Sequence, residues 1–366
     1  MVSSTLRIMS RWLSNPGILL EQGAAHREFA ERGDLAGLAR SVMEAACNNG
    51  SMTGPGVEAM AWLRQLPDRD RLELAGIWSA WHARTAADAP SAEVFRRNTS
   101  YLRAELLLAA TGVARGLDPD LMAAERRAVL GKTAGDHVAS GHREWELAEA
   151  ELEAGRVPGP EVLAVFRRTV IDYHAEPALR ELLTRFPGPV LNPGEAWADQ
   201  ALEDAARGGD TWHRLLAHRA PLSAGAPSAK WLDTGRDLLD AAGPEPVRRR
   251  VHQWFELVGR ERPVPLRGSQ GPAAYDPYNV QALRALAWLL SLLPPRDDTC
   301  DALARLVETS LRRLPYSGLY PVRVAEAGVV ALARIGTGDA RRELDGLRRR
   351  VTHKTVLRRV DRALAA

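Results

Sequence analysis

Three aspartates in the C-terminal third of the chain have the spacing of a metal-binding motif. Asp297, Asp298 and Asp301 form the pattern Asp-Asp-x-x-Asp, in which helical carboxylates can hold Mg²⁺ and, through it, a diphosphate group. The same residues begin a predicted helix, where aspartate is favoured by capping and by the helix dipole. No second acidic motif of this kind follows in the rest of the chain. The sequence therefore favours the helix start and predicts no metal site.

Other patterns associated with chemistry are incomplete. The tripeptide Gly-Lys-Thr at 131–133 matches the end of a phosphate-binding loop, but the glycine required upstream is Arg126, and no strand precedes it. His137 and His142 are five residues apart, so they do not share a helical face as a zinc-binding pair would. The sequence thus predicts no cofactor and no catalytic residue. It favours a non-catalytic protein and leaves an enzymatic activity open.

Tryptophan is frequent, with ten in 366 residues. In HEAT-like glycosylases that excise alkylated bases, aromatic side chains line a cleft, and an aspartate follows a tryptophan by about one helical turn. Reading downstream from each tryptophan, only Trp145 with Glu149 approaches this spacing, with glutamate in place of aspartate. Most other tryptophans, Trp231 and Trp254 among them, lie on apolar stripes, where packing between helices is the expected role.

The end of the chain is its most basic part. Residues 341–366 contain nine Lys and Arg against three acids, a local net charge of +6 compared with +3 for the whole chain. If one helix runs through this segment, Arg350, Lys354, Arg358 and Arg362 form a stripe at four-residue steps. Such a stripe can contact phosphates or an acidic partner. The alternative is a solvated face that closes the end of a helical array.

Helical periodicity extends over nearly the whole chain. Apolar residues recur at steps of three and four, the breaks carry Gly, Pro, Asn and Asp, and strand patterns are nearly absent. Two helices per unit of about 40 residues is the period of HEAT and armadillo repeats. The sequence predicts an all-α fold, an α-solenoid of antiparallel helix pairs. The repeated apolar positions are Leu283, Leu286, Leu290 and Leu293, which return 39 residues later as Val322, Ala325, Val329 and Leu332.

Local signals indicate helix starts and a division of the chain. Asn192 is expected to cap a helix that begins at the following Pro-Gly-Glu, and Ser228 to cap the helix carrying Trp231. The longest stretch without a helical pattern is the Pro- and Gly-rich segment 262–278. We therefore expect an N-terminal helical repeat region over 1–261, a loop over 262–278, and C-terminal HEAT-like repeats with the basic end over 279–366.

Composition excludes several classes of protein. Apolar residues make up 45% and charged residues 26%, as in folded domains and unlike disordered chains. Only three of the 49 basic residues are lysines, a bias that looks like GC-rich bacterial codon usage. Two cysteines exclude a disulfide framework or a cysteine-rich structural zinc site. No apolar run is long enough to cross a bilayer, so we expect a cytoplasmic protein with no membrane partner.

Several segments after Trp212 carry a resemblance to known proteins: LLAH at 215–218, PSAKWL at 227–232, VHQW at 251–254, NVQALRALAW at 279–288, LPYSG at 314–318 and VAEA at 324–327. Over 212–366, less than half of the chain, they resemble a helical region of MolR-like bacterial proteins. These are the "molybdate metabolism regulator" group of unknown function, often linked to WGR domains. The resemblance implies a HEAT-like scaffold. The family's Pro-Gly-x-Gly-Pro turn is changed here to PYSGLYP at 315–321, so no phosphate-binding turn is implied.

Together these patterns favour a scaffold or adaptor that binds another protein through a groove between stacked helices. A few aromatic and arginine side chains supply most of the binding energy in such interfaces. The residues predicted for this role are Trp231, Trp254 and Arg284.

The alternative is a nucleic-acid-binding HEAT-like protein, with DNA repair by excision of alkylated bases as its possible activity. Its phosphate contacts, which would equally suit an acidic partner protein, are predicted at Arg350, Lys354, Arg358 and Arg362. A helical enzyme using a diphosphate at Asp297, Asp298 and Asp301 is the third and most remote hypothesis.

Overall fold

The fold is all-α. The computed structural model describes residues 26–48, 60–85, 99–139, 143–173, 177–269, 275–312 and 319–365. Within these ranges the regular elements are helices, and the only β-type pairing is an isolated parallel bridge between Asp136 and Arg267. The chain forms two compact units, one of residues 1–133 and 139–158, the other of residues 134–138 and 159–366.

The first unit packs its helices around a buried tryptophan. Trp78 is fully buried, and its indole nitrogen donates to the carbonyl of Ala39 over 3.2 Å. The first three helices contact one another, the fifth packs on the third, and the fourth packs on the fifth. These helices are α1 (Leu35–Asn48), α2 (Asp68–Thr85), α3 (Thr99–Ala114), α4 (Ala123–Thr133) and α5 (Glu144–Glu153).

A buried ion network joins α4 to α5. Arg126 and Glu151 are each about 2% exposed, and the Nε of Arg126 lies 2.8 Å from a carboxylate oxygen of Glu151. Arg156 approaches the second carboxylate oxygen over 2.7 Å. Burial favours the neutral form of Glu151, but the hydrogen bonds from both arginines outweigh it and lower the pKa of this carboxyl.

The second unit contains the C-terminal half of the chain and has a larger core. Its fully buried side chains include Trp197, Trp254 and Trp288. Its helices are α6 (Pro160–Tyr173), α7 (Pro177–Arg185), α8 (Ala196–Gly208), α9 (Asp210–Ala217), α10 (Ala229–Ala242), α11 (Pro244–Phe255), α12 (Pro277–Leu290), α13 (Asp297–Leu311), α14 (Leu319–Ile335), α15 (Gly338–Arg350) and α16 (Lys354–Ala365).

The helices from α10 onward form two rows, and in each row every helix contacts the next one. The even-numbered helices α10, α12, α14 and α16 each touch the next even-numbered one, and α11, α13 and α15 do the same. The apolar residues that repeat in the sequence belong to the hydrophobic core between these helices. Leu283, Leu286, Leu290 and Leu293 are buried, as are Ala325, Val329 and Leu332, whereas Val322 is half-buried.

Helix α12 is the most enclosed helix of the second unit. Nearly all of its residues are buried, as expected for a helix that is apolar on all sides. Its start is well defined, because Pro277 occupies the first turn and the side chain of Asp276 accepts from the backbone amides of Tyr278 and Asn279. The cap predicted at Ser228 is confirmed, since its hydroxyl accepts from the amide of Trp231.

One helix start differs from the expectation from the sequence. The helix expected after Asn192 begins at Ala196, because Gly194 has a φ of 99° and the amide of Asn192 is hydrogen-bonded to Asn279. The chain passes between the two compact units within 134–158, and the described residues of the segment 262–278 belong to the second unit. Within that unit, the amide of Arg267 donates to the carbonyl of Gly135.

No helix in the described ranges is both long enough and apolar enough to cross a membrane. His142 and residues 315–318 of the PYSGLYP turn lie outside the described residues.

Candidate functional site

Trp254, predicted as a binding anchor, lies in the core. Its side chain is 0% exposed, and its indole nitrogen donates to a carboxylate oxygen of Asp204 over 2.9 Å. Its ring packs edge-on against Trp212, with centroids 5.9 Å apart. The prediction of a contact role is corrected here: Trp254 packs α11 against α8, and its apolar stripe indicated this burial.

Arg284, the second predicted anchor, is also buried, at 2% exposed. Its two terminal nitrogens donate to the carbonyls of Pro221 and Ala224, and its guanidinium lies 5.2 Å from the ring centroid of Trp288. Burial, together with the positive charge of Arg323, lowers the pKa of Arg284 to about 10. Arg284 therefore holds the segment 221–224 against α12 by hydrogen bonds. It is not the surface anchor that the sequence predicted.

Trp231 remains half-buried. Its ring stacks on His218 with centroids 4.2 Å apart and meets Trp288 edge-on at 5.5 Å. Its indole nitrogen donates to the carbonyl of Arg219 over 3.2 Å. The structure thus brings Trp231 and Arg284 together, because both contact Trp288, whereas Trp254 contacts a different aromatic residue.

The predicted basic stripe is interrupted. α15 ends at Arg350 and α16 begins at Lys354, with Val351 in an extended conformation between them. Arg350 is therefore on a separate helix, and its Nε forms an ion pair with Glu308 of α13. The predicted stripe required one continuous helix, and the structure has two. The part that remains on one helix consists of Lys354, Arg358 and Arg362, here called the cation row.

The cation row is exposed on α16. Its members are separated by one helical turn each, and the buried Val356 and Val360 hold the opposite face of α16 against the core. Among the described residues, neither the cation row nor the exposed Arg349 has an ion-pair partner. Four other arginines of the basic end are neutralised, Arg342 by Asp339, Arg348 by Asp361, Arg350 by Glu308 and Arg359 by Glu326.

The aspartate motif lies at the start of α13. Asp297 and Asp298 lie in the first turn of α13, as the helix-start interpretation predicts, although the residue at the cap is Arg296. Asp298 pairs with Arg296 over 3.2 Å, and the nearby carboxylate of Asp339 raises the pKa of Asp297. In the described part of the chain, no group of three or more His, Cys, Asp or Glu side chains has a geometry suited to a metal ion.

Trp145 and Glu149, whose spacing approaches that of base-excision enzymes, both make other contacts within the first unit. Glu149 accepts from Arg115 over 2.8 Å, and Trp145 is only 8% exposed beneath Arg143. The carboxylate that would act on a base is thus committed to an ion pair within the first unit. His137, in the second unit, lies 3.4 Å from the carboxylate of Asp172.

A buried polar network, which the sequence did not predict, centres on Asp276. Its side chain is 0% exposed, and one carboxylate oxygen lies 2.8 Å from Arg168 and 3.5 Å from Arg262. Both arginines are themselves almost fully buried. Buried charges require partners of opposite sign, and Asp276 has two.

The same network interlocks two proline-containing turns. Asn192 donates to Asp276 over 3.0 Å and exchanges backbone and side-chain hydrogen bonds with Asn279. Glu195 accepts from the amide of Asp276 and from the side chain of Asn279. The sequence signal was present as Asn-Pro-Gly-Glu and Asp-Pro-Tyr-Asn, but each turn alone looks like an ordinary helix start.

Glu195 is the titratable group most affected by this burial. Loss of hydration raises its pKa to about 7; the positive charge of Arg262 opposes this shift, and the negative charge of Asp276 adds to it. Asp276, Glu195, Asn192 and Asn279 are all hydrogen-bonded within the network, whereas the buried Nε of Arg262 has no partner among the described residues. These hydrogen bonds tie distant parts of the second unit together.

Comparisons with family models, with curated proteins and with solved structures give no match to this chain.

Proposed function

We propose that this chain is a non-catalytic helical-repeat adaptor that binds an acidic surface of another protein through its cation row. On this proposal residues 212–366 form a HEAT-like α-solenoid of the MolR-like kind, and the protein acts in the cytoplasm.

The packing order of the helices supports the repeat architecture. In a solenoid each helix pair contacts only its neighbours, so equivalent helices touch in sequence. The two rows of helices, α10–α12–α14–α16 and α11–α13–α15, follow this order. Such arrays present extended surfaces for binding.

The observation that carries the proposal is the unpaired charge of the cation row. Lys354, Arg358 and Arg362 are exposed, although other arginines of the same segment are neutralised by nearby carboxylates. Exposed charges of one sign steer an oppositely charged partner and set its orientation. Of the predicted anchors, Trp254 and Arg284 are buried and Trp231 is half-buried, so the cation row is the most exposed of the predicted contact residues.

The test compares two triple variants of the full chain in affinity capture from the native host. The row variant carries Lys354→Gln, Arg358→Gln and Arg362→Gln. The control carries Arg214→Gln, Arg249→Gln and Arg334→Gln, at three arginines that are exposed elsewhere in the second unit.

We expect one or more proteins to be captured by the wild type and the control, and at least tenfold less by the row variant. Nuclease treatment of the lysate is expected to leave this difference unchanged, and added salt to reduce capture. Equal capture by the row variant and the wild type contradicts the proposal.

Nucleic-acid binding is the second candidate, because a row of cations is also the electrostatic footprint of a phosphate-backbone contact. It predicts that nuclease treatment removes the captured material. It also predicts that purified duplex DNA binds with a salt dependence that becomes weaker in the row variant.

A further inference from the structure

A second basic site lies between α11 and α13, and it does not involve the cation row. A pocket of about 360 Å³ opens there, within the size range of small-molecule sites. Its lining comes from the end of α11, the segment that follows it, and one face of α13.

The floor of this pocket is apolar. Phe255, Val258 and Leu306 line it and are each at most 6% exposed. An apolar floor of this kind favours contact with hydrocarbon or an aromatic ring, because such contact removes apolar surface from water.

The rim is positively charged. Arg260, Arg305 and Arg312 line the pocket together with a single acid, Glu256. All three arginines are exposed, and none has an ion-pair partner among the described residues. The nearby Glu308 does not neutralise Arg305, since its carboxylate pairs with Arg350.

His252 adds a neutral polar group to the lining. Its Nε2 is buried and has no hydrogen-bond partner among the described residues. Burial lowers the pKa of His252, and the charges of Arg248 and Arg305 add to the decrease, with only Asp298 opposing them. The ring is therefore neutral near pH 7, and a neutral imidazole can donate one hydrogen bond to a ligand oxygen.

We propose that this pocket binds a small organic anion, with a phosphate or carboxylate head held by Arg260, Arg305 and Arg312 and an apolar body on the floor formed by Phe255, Val258 and Leu306. Guanidinium groups suit this head because their paired N–H donors match two oxygens of a carboxylate or phosphate. The apolar floor selects against free inorganic anions, which have no body to cover it.

Four probes test the proposal by calorimetric titration of the full chain at low salt. Phenyl phosphate and benzoate combine an anionic head with a ring. Benzyl alcohol keeps a ring without the charge, and inorganic phosphate keeps the charge without a ring. We expect saturable binding of at least one of the first two, at least tenfold tighter than of either of the last two. The better anionic probe identifies the head.

A double variant and a matched control locate the site. Arg305→Gln with Arg312→Gln is expected to weaken the better probe at least tenfold, while Arg249→Gln, at an exposed arginine of α11 outside the pocket, leaves it unchanged. In the wild type, hydrogen exchange is expected to slow over 252–260 and 302–312 when the probe is bound. This measurement does not depend on how the variants fold.

Three results overturn the proposal. They are the absence of saturable binding for both anionic probes, equal affinity for benzyl alcohol, and an equal loss of affinity in Arg249→Gln and in the double variant. None of these outcomes bears on protein binding by the cation row, which is measured with different variants.

Discussion

Arg168 on α6 donates to the buried carboxylate of Asp276 over 2.8 Å, across 108 positions of sequence. Neither side chain is more than about 1% exposed. This pair links the start of the second unit to the cap of its central helix, α12. It therefore makes the position of α12 depend on residues far away in the chain.

Removing one partner of this pair is expected to be strongly destabilising, because the other charge remains buried. We expect Arg168→Met to lower the free energy of unfolding by about 3–5 kcal/mol, measured by urea denaturation. The matched control is Arg236→Met, which breaks an exposed ion pair with Asp233 and is expected to cost less than about 1 kcal/mol. Equal effects in the two variants would show that Asp276 is satisfied without Arg168.

The raised pKa of Glu195 predicts a pH dependence of stability. In the folded state its pKa is about 7, against an ordinary value of 4.5, so the folded chain holds this proton more tightly than the unfolded chain. The resulting stabilisation is present below pH 4.5 and is lost as the pH rises towards 7, by up to about 3 kcal/mol.

The variant Glu195→Gln removes this titration. Its unfolding free energy, relative to that of the wild type, is therefore expected to increase between pH 4.5 and 7 and to level off above. Urea denaturation of both proteins at a series of pH values measures this difference. A difference that is flat or decreases over the same range would contradict the assignment.

Arg284 is expected to act on stability, because its guanidinium satisfies two loop carbonyls. Arg284→Met leaves those carbonyls unpaired and is expected to lower the free energy of unfolding by about 2–3 kcal/mol. Arg334→Met, at an exposed position of α14, is expected to have little effect. Partner capture that is lost in Arg284→Met without any loss of stability would restore the surface role predicted from the sequence.

Cys300 is expected to be unreactive in the folded protein. Its side chain is 1% exposed, and burial raises the pKa of the thiol to about 11, so little thiolate is present at pH 8. In a Cys47→Ser background, a disulfide reagent should modify Cys300 at least about a hundredfold more slowly than in denaturant. Rapid modification under native conditions would contradict the packing of α13.

Much of the fold could be predicted because apolar periodicity reports directly on burial. The apolar positions that repeat between α12 and α14 are buried except for the half-buried Val322, and Ser228 caps α10. The order in which α12, α14 and α16 touch agrees with the predicted repeat of about 40 residues, while the solenoid itself stays a prediction.

The site residues were harder to predict because residue type does not distinguish an anchor from a core residue. Trp254 finds a hydrogen-bond partner in Asp204, and Arg284 finds backbone carbonyls, so both are stable inside the protein. Glu195 accepts a hydrogen bond from the amide of Asp276, although the two residues are 81 positions apart in the sequence. Local pattern alone could not bring them together, and their network was missed.

Site-specific photocrosslinking in the native host tests the central claim most directly. A photoreactive amino acid is placed at Thr355, which is exposed beside Lys354 on α16, and for comparison at Thr234, which is exposed among the aspartates of α10. The adaptor proposal predicts a covalent adduct with a protein at 355 and none at 234. Adducts that are equal at both positions, or that consist of nucleic acid at 355, would contradict it.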